Sequence, residues 1–228
     1  EIVAAYNAEL RGGGMPVTAV PRVWYNPNLE TRWNIMPALI AALSMMQTLM
    51  LTALSVARER EQGTFDQLLV TPYTPMEIML GKAVPPVLIG LVQSSIILCV
   101  ALFWFRIPMA GSLATLYAGL AIFTVACVGI GLSISAVSVN MQQAMLYTFV
   151  LIMPLMLLSG LATPVRNMPD PLQVATLANP LRFAIDLVQR VYLEGAGLLS
   201  LWRNLVPMFV LGAVTLPLAA WLFRHRLV

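Results

Sequence analysis

Charge is what this sequence has least of. Asp, Glu, Lys and Arg together make up 10% of 228 residues, against about 25% in a typical soluble domain. The charges that exist cluster between long uncharged tracts, so those tracts have no polar face to offer water. With 59% hydrophobic residues and a mean hydropathy of +0.82, the chain needs a lipid bilayer as its solvent. Histidine is nearly absent as well. The single His225 sits between Arg224 and Arg226 at the tail, which excludes a Ser-His-Asp or Cys-His catalytic constellation and leaves no metal-ligand spacing. The sequence therefore predicts no enzyme, no metal site and no cofactor of its own.

Two cysteines, Cys99 and Cys127, both fall in apolar tracts and read as small buried hydrophobes. The 13 basic residues give a net charge of +3. They are scattered as singletons or short pairs without a basic stripe, so nucleic acid is not an expected partner. Nor is there a phosphate-binding loop. Gly81-Lys82-Ala83 lacks both the upstream glycine and the hydroxyl that such a loop requires. Any nucleotide chemistry would have to come from another chain.

What the sequence has in quantity is hydrophobic run. Spanning a bilayer as a helix takes about 20 mostly apolar residues, and five tracts qualify: 36–57, 83–105, 113–137, 145–161 and 202–223, the fourth being short. The predicted fold class is an all-α integral membrane protein. Residues 58–82 form a charged connection, 106–112 and 138–144 short turns, and 162–200 a long, proline-rich, amphipathic stretch. An odd number of spans would put the two ends on opposite sides. Residues 1–35 are polar enough for water, and the opening Glu1-Ile2-Val3, without Met, reads as an internal cut in a longer protein.

The tract interiors hold no Asp, Glu, His, Lys or Arg. Gln47 and Gln93 are their most polar side chains, and Arg203 lies near an end. Proton- and ion-coupled carriers usually place ionisable groups inside the membrane. Their absence weighs against an ion-coupled secondary transporter, one alternative reading, and suits an apolar or amphiphilic cargo. A non-transporting assembly or signalling component is the other alternative.

The first connection carries the most information. In Arg58-Glu59-Arg60-Glu61-Gln62-Gly63-Thr64-Phe65-Asp66-Gln67-Leu68-Leu69-Val70-Thr71-Pro72, the spacing of Phe65, Leu68 and Leu69 predicts a short amphipathic surface helix over 62–72, stopped by Pro72. Thr74-Pro75-Met76-Glu77 then has the pattern of an N-cap, a first-position proline and a capping box. Helix, turn and fresh helix would precede the second span. Composition alone reads this as a solvated interfacial loop.

A second stretch lies at 159–194. Ser159-Gly160, Pro164, Met168, Pro169 and Pro171 break regular structure, and Asn179-Pro180 reads as an N-cap with proline in the first helical position. Arg182, Asp186, Arg190 and Glu194 then recur every four residues, opposite Leu181, Ala184, Ile185, Val188 and Val191. That pattern predicts an interfacial helix over 180–194, ended by Gly195 or Gly197, that does not span.

These stretches resemble the type-2 ABC exporter permeases. Glu59-Arg60-Glu61-Gln62-Gly63-Thr64, then Gln67-Leu68-Leu69-Val70-Thr71-Pro72 and Gly81-Lys82, look like the family's signature loop. The resemblance implies a coupling helix that touches a cytoplasmic ATPase, with Glu59, Arg60, Glu61, Gly63, Thr64, Leu68, Leu69, Thr71 and Pro72 as coupling residues. Ser159-Gly160, Pro164, Met168-Pro169, Pro180, Arg182, Asp186 and Arg190 are similar to its external re-entrant segment. For these residues scaffolding and gating of the outer exit both stay open. Val23-Trp24-Tyr25-Asn26-Pro27-Asn28, ahead of Arg32-Trp33 and Pro37-Ala38, resembles the segment by which members with an external domain re-enter the membrane, with Ala38 where many carry glycine.

The resemblance, from about Val23 onward, implies a six-span protomer with its first span and most of a periplasmic domain (ending over 1–35) outside this sequence. It also implies a bacterial inner-membrane location, ABC ATPase subunits that bind the ATP, a second permease protomer as homo- or heterodimer, and a periplasmic membrane-fusion adaptor as a further partner. Orientation is taken from it too. With 58–82 and the tail inside, Arg58, Arg60, Lys82, Arg224 and Arg226 are cytoplasmic and eight basic residues lie opposite, so the positive-inside bias does not decide the matter.

Overall fold

Hydrophobic tracts of this length can satisfy their backbone in hydrocarbon only as helices, and helices are what form. A computed structural model describes residues 31–64, 75–161 and 163–225. The elements are α1 (Thr31–Glu61), α2 (Pro75–Cys99), α3 (Leu113–Val137), α4 (Met141–Leu157), the six-residue α5 (Asp170–Ala175), α6 (Pro180–Glu194) and α7 (Trp202–His225). Short 3-10 turns stand at Val165–Asn167, Thr176–Ala178 and Leu198–Leu201. Leu68, Leu69, Thr71, Pro72 and the Thr74 cap lie outside the described residues, as does the 23–28 segment.

Among the described residues four helices are long and apolar enough to cross a membrane: α1, α2, α3 and α7 with the turn before it. The fifth expected span is α4, whose 17 residues rise only about 25 Å against a hydrocarbon core of about 30 Å. It occupies 141–157 where the sequence predicts 145–161. Asn140 Oδ1 caps the earlier start by accepting from Gln143 N at 2.8 Å. At the far end Pro154 cannot donate, Ser159 Oγ donates to Met156 O at 2.6 Å, and Gly160 takes φ +89°.

Two other boundaries move. The charged run after the first tract is still helix, because α1 continues to Glu61 with Arg58 and Arg60 in its last turn, where cations complement the helix dipole. Gln62 and Gly63 are a turn, not the start of a surface helix. The helix that begins at Pro75 does not stop before the second span; it is that span's first two turns, and it runs through Pro85-Pro86 without a break. Past Cys99 it widens into a π-helical turn over Val100–Trp104. Phe105 N donates to Val100 O at 3.1 Å, and Arg106 reverses the chain at φ +53°. Cys99 itself is exposed on the outer side of α2, whereas Cys127 is buried in α3 as expected.

The core is built on α1 and α3. In their most apolar stretches 56% and 61% of the residues are buried, against 22% for α2 and 17% for α7, so α2 and α7 flank the interior pair. Phe123, Leu116 and Leu120 of α3 meet Ile40, Met45 and Leu49 of α1 and Leu181, Leu187 and Tyr192 of α6 in one cluster. In lipid, helices associate through close packing and hydrogen bonds across small residues, and α3 has glycines that face α1, α6 and α7. A Cβ on Gly131 would lie 2.7 Å from Thr52 Cβ of α1, and one on Gly129 would lie 2.2 Å from Thr215 Oγ1 and 2.9 Å from the Leu216 nitrogen of α7. Ser135 Oγ accepts from Val56 N and Ala57 N at 3.1 and 3.2 Å, Ser44 Oγ donates to Gly90 O at 2.9 Å, and Ser95 Oγ meets Tyr117 Oη at 2.6 Å.

Side chains at the α3 glycines should therefore force the bundle apart. Gly129→Val and Gly131→Val are each expected to destabilise the protein by about 1–3 kcal/mol, seen as a lower apparent Tm in detergent. Gly197→Ala, which has open space around it, should leave Tm in place. Equal stability of all three variants would disprove the close-packed arrangement.

Candidate functional site

The chemistry-bearing residues gather at the two ends of the bundle. At one end, three consecutive side chains at the close of α1 reach three different helices. Glu59 Oε2 is 2.5 Å from Lys82 Nζ of α2, with the lysine 12% and the glutamate 28% exposed. Arg60 Nη1 donates to Ala136 O and Ser138 O at 3.0 and 3.1 Å, the free carbonyl end of α3 where a guanidinium is favoured. Glu61 Oε2 accepts from Met141 N at 2.8 Å, the first amide of α4, where a carboxylate is favoured in turn. Successive residues of a helix point about 100° apart, so this fan needs no distortion.

Gly63 and Thr64 close the fan. Gly63, at φ +69°, donates from its amide to Arg60 O at 3.1 Å, while Thr64 N donates to Glu59 O at 3.0 Å, a left-handed glycine cap of the kind that turns the chain off a helix. Five of the expected coupling residues, Glu59, Arg60, Glu61, Gly63 and Thr64, are thus brought together. Lys82 belongs with them as the counter-ion of Glu59. Its presence in the Gly81-Lys82 pair was the available signal, although sequence alone did not say which carboxylate it meets.

The opposite end is built around α6. Asn179 Oδ1 accepts from Leu181 N at 3.0 Å, Pro180 stands first, and Gly195 ends the helix at φ +70°, so the boundaries are those the sequence predicts. The helix does not float at the headgroups. Its apolar face, Leu181, Ala184, Ile185, Val188 and Val191, is buried among the tops of the spans, with Leu187 closing over Gly119 of α3. Tyr192 Oη donates to Ile107 O at 2.7 Å, Ala110 N to Tyr192 O at 2.9 Å, Asn179 Nδ2 to Leu155 O at 2.7 Å and Gln189 Nε2 to Asn34 O at 3.1 Å. Burial pushes the Tyr192 phenol up to about 12, which keeps it a donor at any physiological pH.

Above α6 lies an open cavity of about 620 Å³, lined by Pro164, Arg182, Asp186 and Arg190 of the expected gate, together with Arg166, Arg203, Asn204 and seven further residues. Met168, Pro169 and Pro180 are not in its wall. Met168 O accepts from Gln173 Nε2 at 2.8 Å, Pro169 starts α5 and Pro180 is buried at the head of α6. The ladder of four-residue pairs closes only at Arg190–Glu194, at 3.5 Å. Arg182 instead donates to Thr176 Oγ1 and Gln173 O, and Asp186 Oδ2 accepts from Asn204 Nδ2 of α7 at 2.7 Å, because α7 packs near enough to compete.

This is the architecture of a helical membrane protein with a charged, cross-linked elbow at one face and a re-entrant helix at the other. A match to the ABC-2 family transporter protein model over residues 8–221 places the chain in that family. It is similar to the probable multidrug ABC transporter permease YbhR of Escherichia coli strain K12, with 43% identity over 99% of this chain. It is also similar to the inner membrane transport permease YhhJ of that strain, at 31% identity over 99% of the chain, and to its probable multidrug ABC transporter permease YbhS, at 30% over 76%. The chain spans 62% of the length of the first of these and 61% of the second.

The elbow yields a direct test. Arg60→Ala should leave the two α3 carbonyls without their charged donor, at a cost of about 1.5–3 kcal/mol. Hydrogen exchange should quicken over residues 136–143 more than anywhere else among the spans, and unchanged protection there would remove Arg60 from its assigned place.

Proposed function

We infer that this chain is the membrane-embedded part of the permease subunit of an ATP-driven ABC exporter in a bacterial inner membrane, and that it moves an apolar or amphiphilic substrate out of the cytoplasm or the inner leaflet. The observation that carries the reading is the fan of Glu59, Arg60 and Glu61, which joins the end of α1 to α2, α3 and α4. Membership of the ABC-2 family supports it.

In this reading the elbow faces the cytoplasm and receives a push from an ATPase on a separate chain, which binds and hydrolyses the ATP. The push is shared at once among the helices the fan holds. Packed helices move as stiff rods, so displacement reaches the far end, where α4 holds Asn179 through Leu155 O and α3 seats Leu187 against Gly119. Both contacts bear on α6, which lies at the outer face and shapes the exit. A second permease protomer completes the path, since one protomer offers too few helices to enclose it, and α2, α4 and α7 carry apolar faces such as Leu88, Val92, Phe149, Val150, Phe209 and Val210 exposed in the single chain. A periplasmic membrane-fusion adaptor is a further proposed partner.

Three measurements test this on the full-length permease with its ATPase. Glu59→Ala and Glu61→Ala should insert normally yet lower transport-coupled ATP hydrolysis several-fold, and normal coupling in both would count against the elbow. Cysteines replacing Asp186 and Arg190 in a cysteine-free background should react with membrane-impermeant thiol reagents added from outside; reaction only from the cytoplasmic side would invert the topology. Native mass spectrometry should find permease chains in pairs, whereas a transport-active monomer would defeat the dimeric path.

A further inference from the structure

The cavity over α6 has a charge balance that the helix ladder does not explain. Four guanidinium groups, from Arg166, Arg182, Arg190 and Arg203, line it against a single carboxylate, Asp186. That carboxylate is engaged by Asn204 at 2.7 Å rather than by an arginine. Among the described residues Arg166 and Arg203 enter no ion pair. With four guanidiniums and one carboxylate on the same wall the cavity carries a net positive charge, and that charge favours an anion.

Three of the arginines are also held in position. Arg182 is fixed by Thr176 Oγ1 and Gln173 O and lies 5.7 Å from the centre of the Phe183 ring. Arg203 lies 5.6 Å from the Trp202 ring, and Arg190 leans on Glu194. Side chains pre-oriented in this way lose less entropy when they bind. The guanidinium fork matches the oxygens of a phosphate in pairs. A lone carboxylate would neutralise one group of four, whereas a phosphate monoester offers about two charges and three acceptor oxygens. The same wall includes Pro164, Val165, Phe183 and Ile185, apolar surface that suits a hydrocarbon portion next to the anion.

We propose that this cavity binds a phosphate-type oxyanion carried on an amphiphile, with Arg166, Arg182, Arg190 and Arg203 as its ligands. Its placement on the outer face rests on the exporter reading above; its chemistry does not. Two sources share that chemistry, the headgroup of an anionic phospholipid and a phosphorylated molecule free in solution.

The test uses purified full-length permease in an uncharged detergent, titrated calorimetrically with a short-chain alkyl phosphate and with the matching alkyl alcohol. Arg166→Gln and Arg203→Gln are the probes, being exposed and outside any ion pair, and Arg106→Gln, exposed and outside the cavity wall, is the control. The alkyl phosphate should bind the wild type. Each cavity variant should weaken it roughly tenfold or more, while Arg106→Gln leaves it unchanged. Equal binding of phosphate and alcohol, or full affinity in both cavity variants, would overturn the site. Native mass spectrometry distinguishes the sources. Arginine-dependent retention of phosphatidic acid, a phosphate monoester lipid, assigns the site to lipid, and arginine-dependent competition by inorganic phosphate alone assigns it to a soluble phosphate. None of these readouts involves ATP hydrolysis or sidedness, so failure of the site and failure of the exporter reading are separately visible.

Discussion

Hydrocarbon offers a polar group no partner, and the spans of this chain are arranged so that few of their hydroxyls depend on one from outside. Thr52 donates to Thr48 O, Ser94 to Gly90 O, Ser133 to Gly129 O and Thr148 to Ala144 O, each one turn back along its own helix. Closed in this way, serine and threonine behave as small residues and allow tight helix contact. Thr48 Oγ1 is the exception, buried without a hydrogen-bond partner at the point where Gly90 presses against it. The hydrogen bond lost there accompanies a close approach between α1 and α2. The same economy suits the placement of the Lys82–Glu59 and Arg190–Glu194 ion pairs at the ends of the bundle, where charges stay near water.

Those end contacts set what the bundle can do as a machine. A helix pair that is merely packed can slide, but one tied at its end cannot do so without breaking the tie. Glu59, Arg60 and Glu61 tie α1 to three neighbours within one turn, so an input there is divided among four helices. At the opposite end the ties between helices are neutral or singly charged, Tyr192 to Ile107 O, Asn179 to Leu155 O and Asn204 to Asp186. Such bonds are individually weaker than fully ionic ones.

How much of this was readable in the sequence follows from how local each determinant is. The boundaries of α6 were legible, because an Asn179-Pro180 start and a Gly195 stop act within a few residues of themselves. The membrane spans were legible from composition, with errors of a few residues where a proline and a glycine ended α4 early. The π turn at Val100–Trp104 was not, since Val, Ala, Leu, Phe and Trp carry no local mark of it. The exposure of Cys99 was equally hidden, because an apolar tract does not say which of its faces meets the core. At the elbow the residue types were visible but their partners were not, as Glu61 meets an amide 80 positions away. The same limit hid the cavity, where Arg166 and Arg203 come from segments on either side of α6.

The two ends also differ in whom their charges serve. At the elbow each of the three charged side chains of the fan meets a different helix, so the interactions tie helix ends together. Around the cavity the guanidiniums are satisfied, where they are satisfied at all, inside their own stretch of chain: Arg182 by Thr176 and Gln173, Arg190 by Glu194, Arg203 by the adjacent Trp202 ring. Such contacts orient a side chain without linking spans. Removing them would loosen the approach to α6, while removing the elbow would untie the ends of α1, α2, α3 and α4, none of which lines the cavity. The proposed exporter would use that division, with stiffness where an ATPase pushes and adaptable charge where a ligand binds.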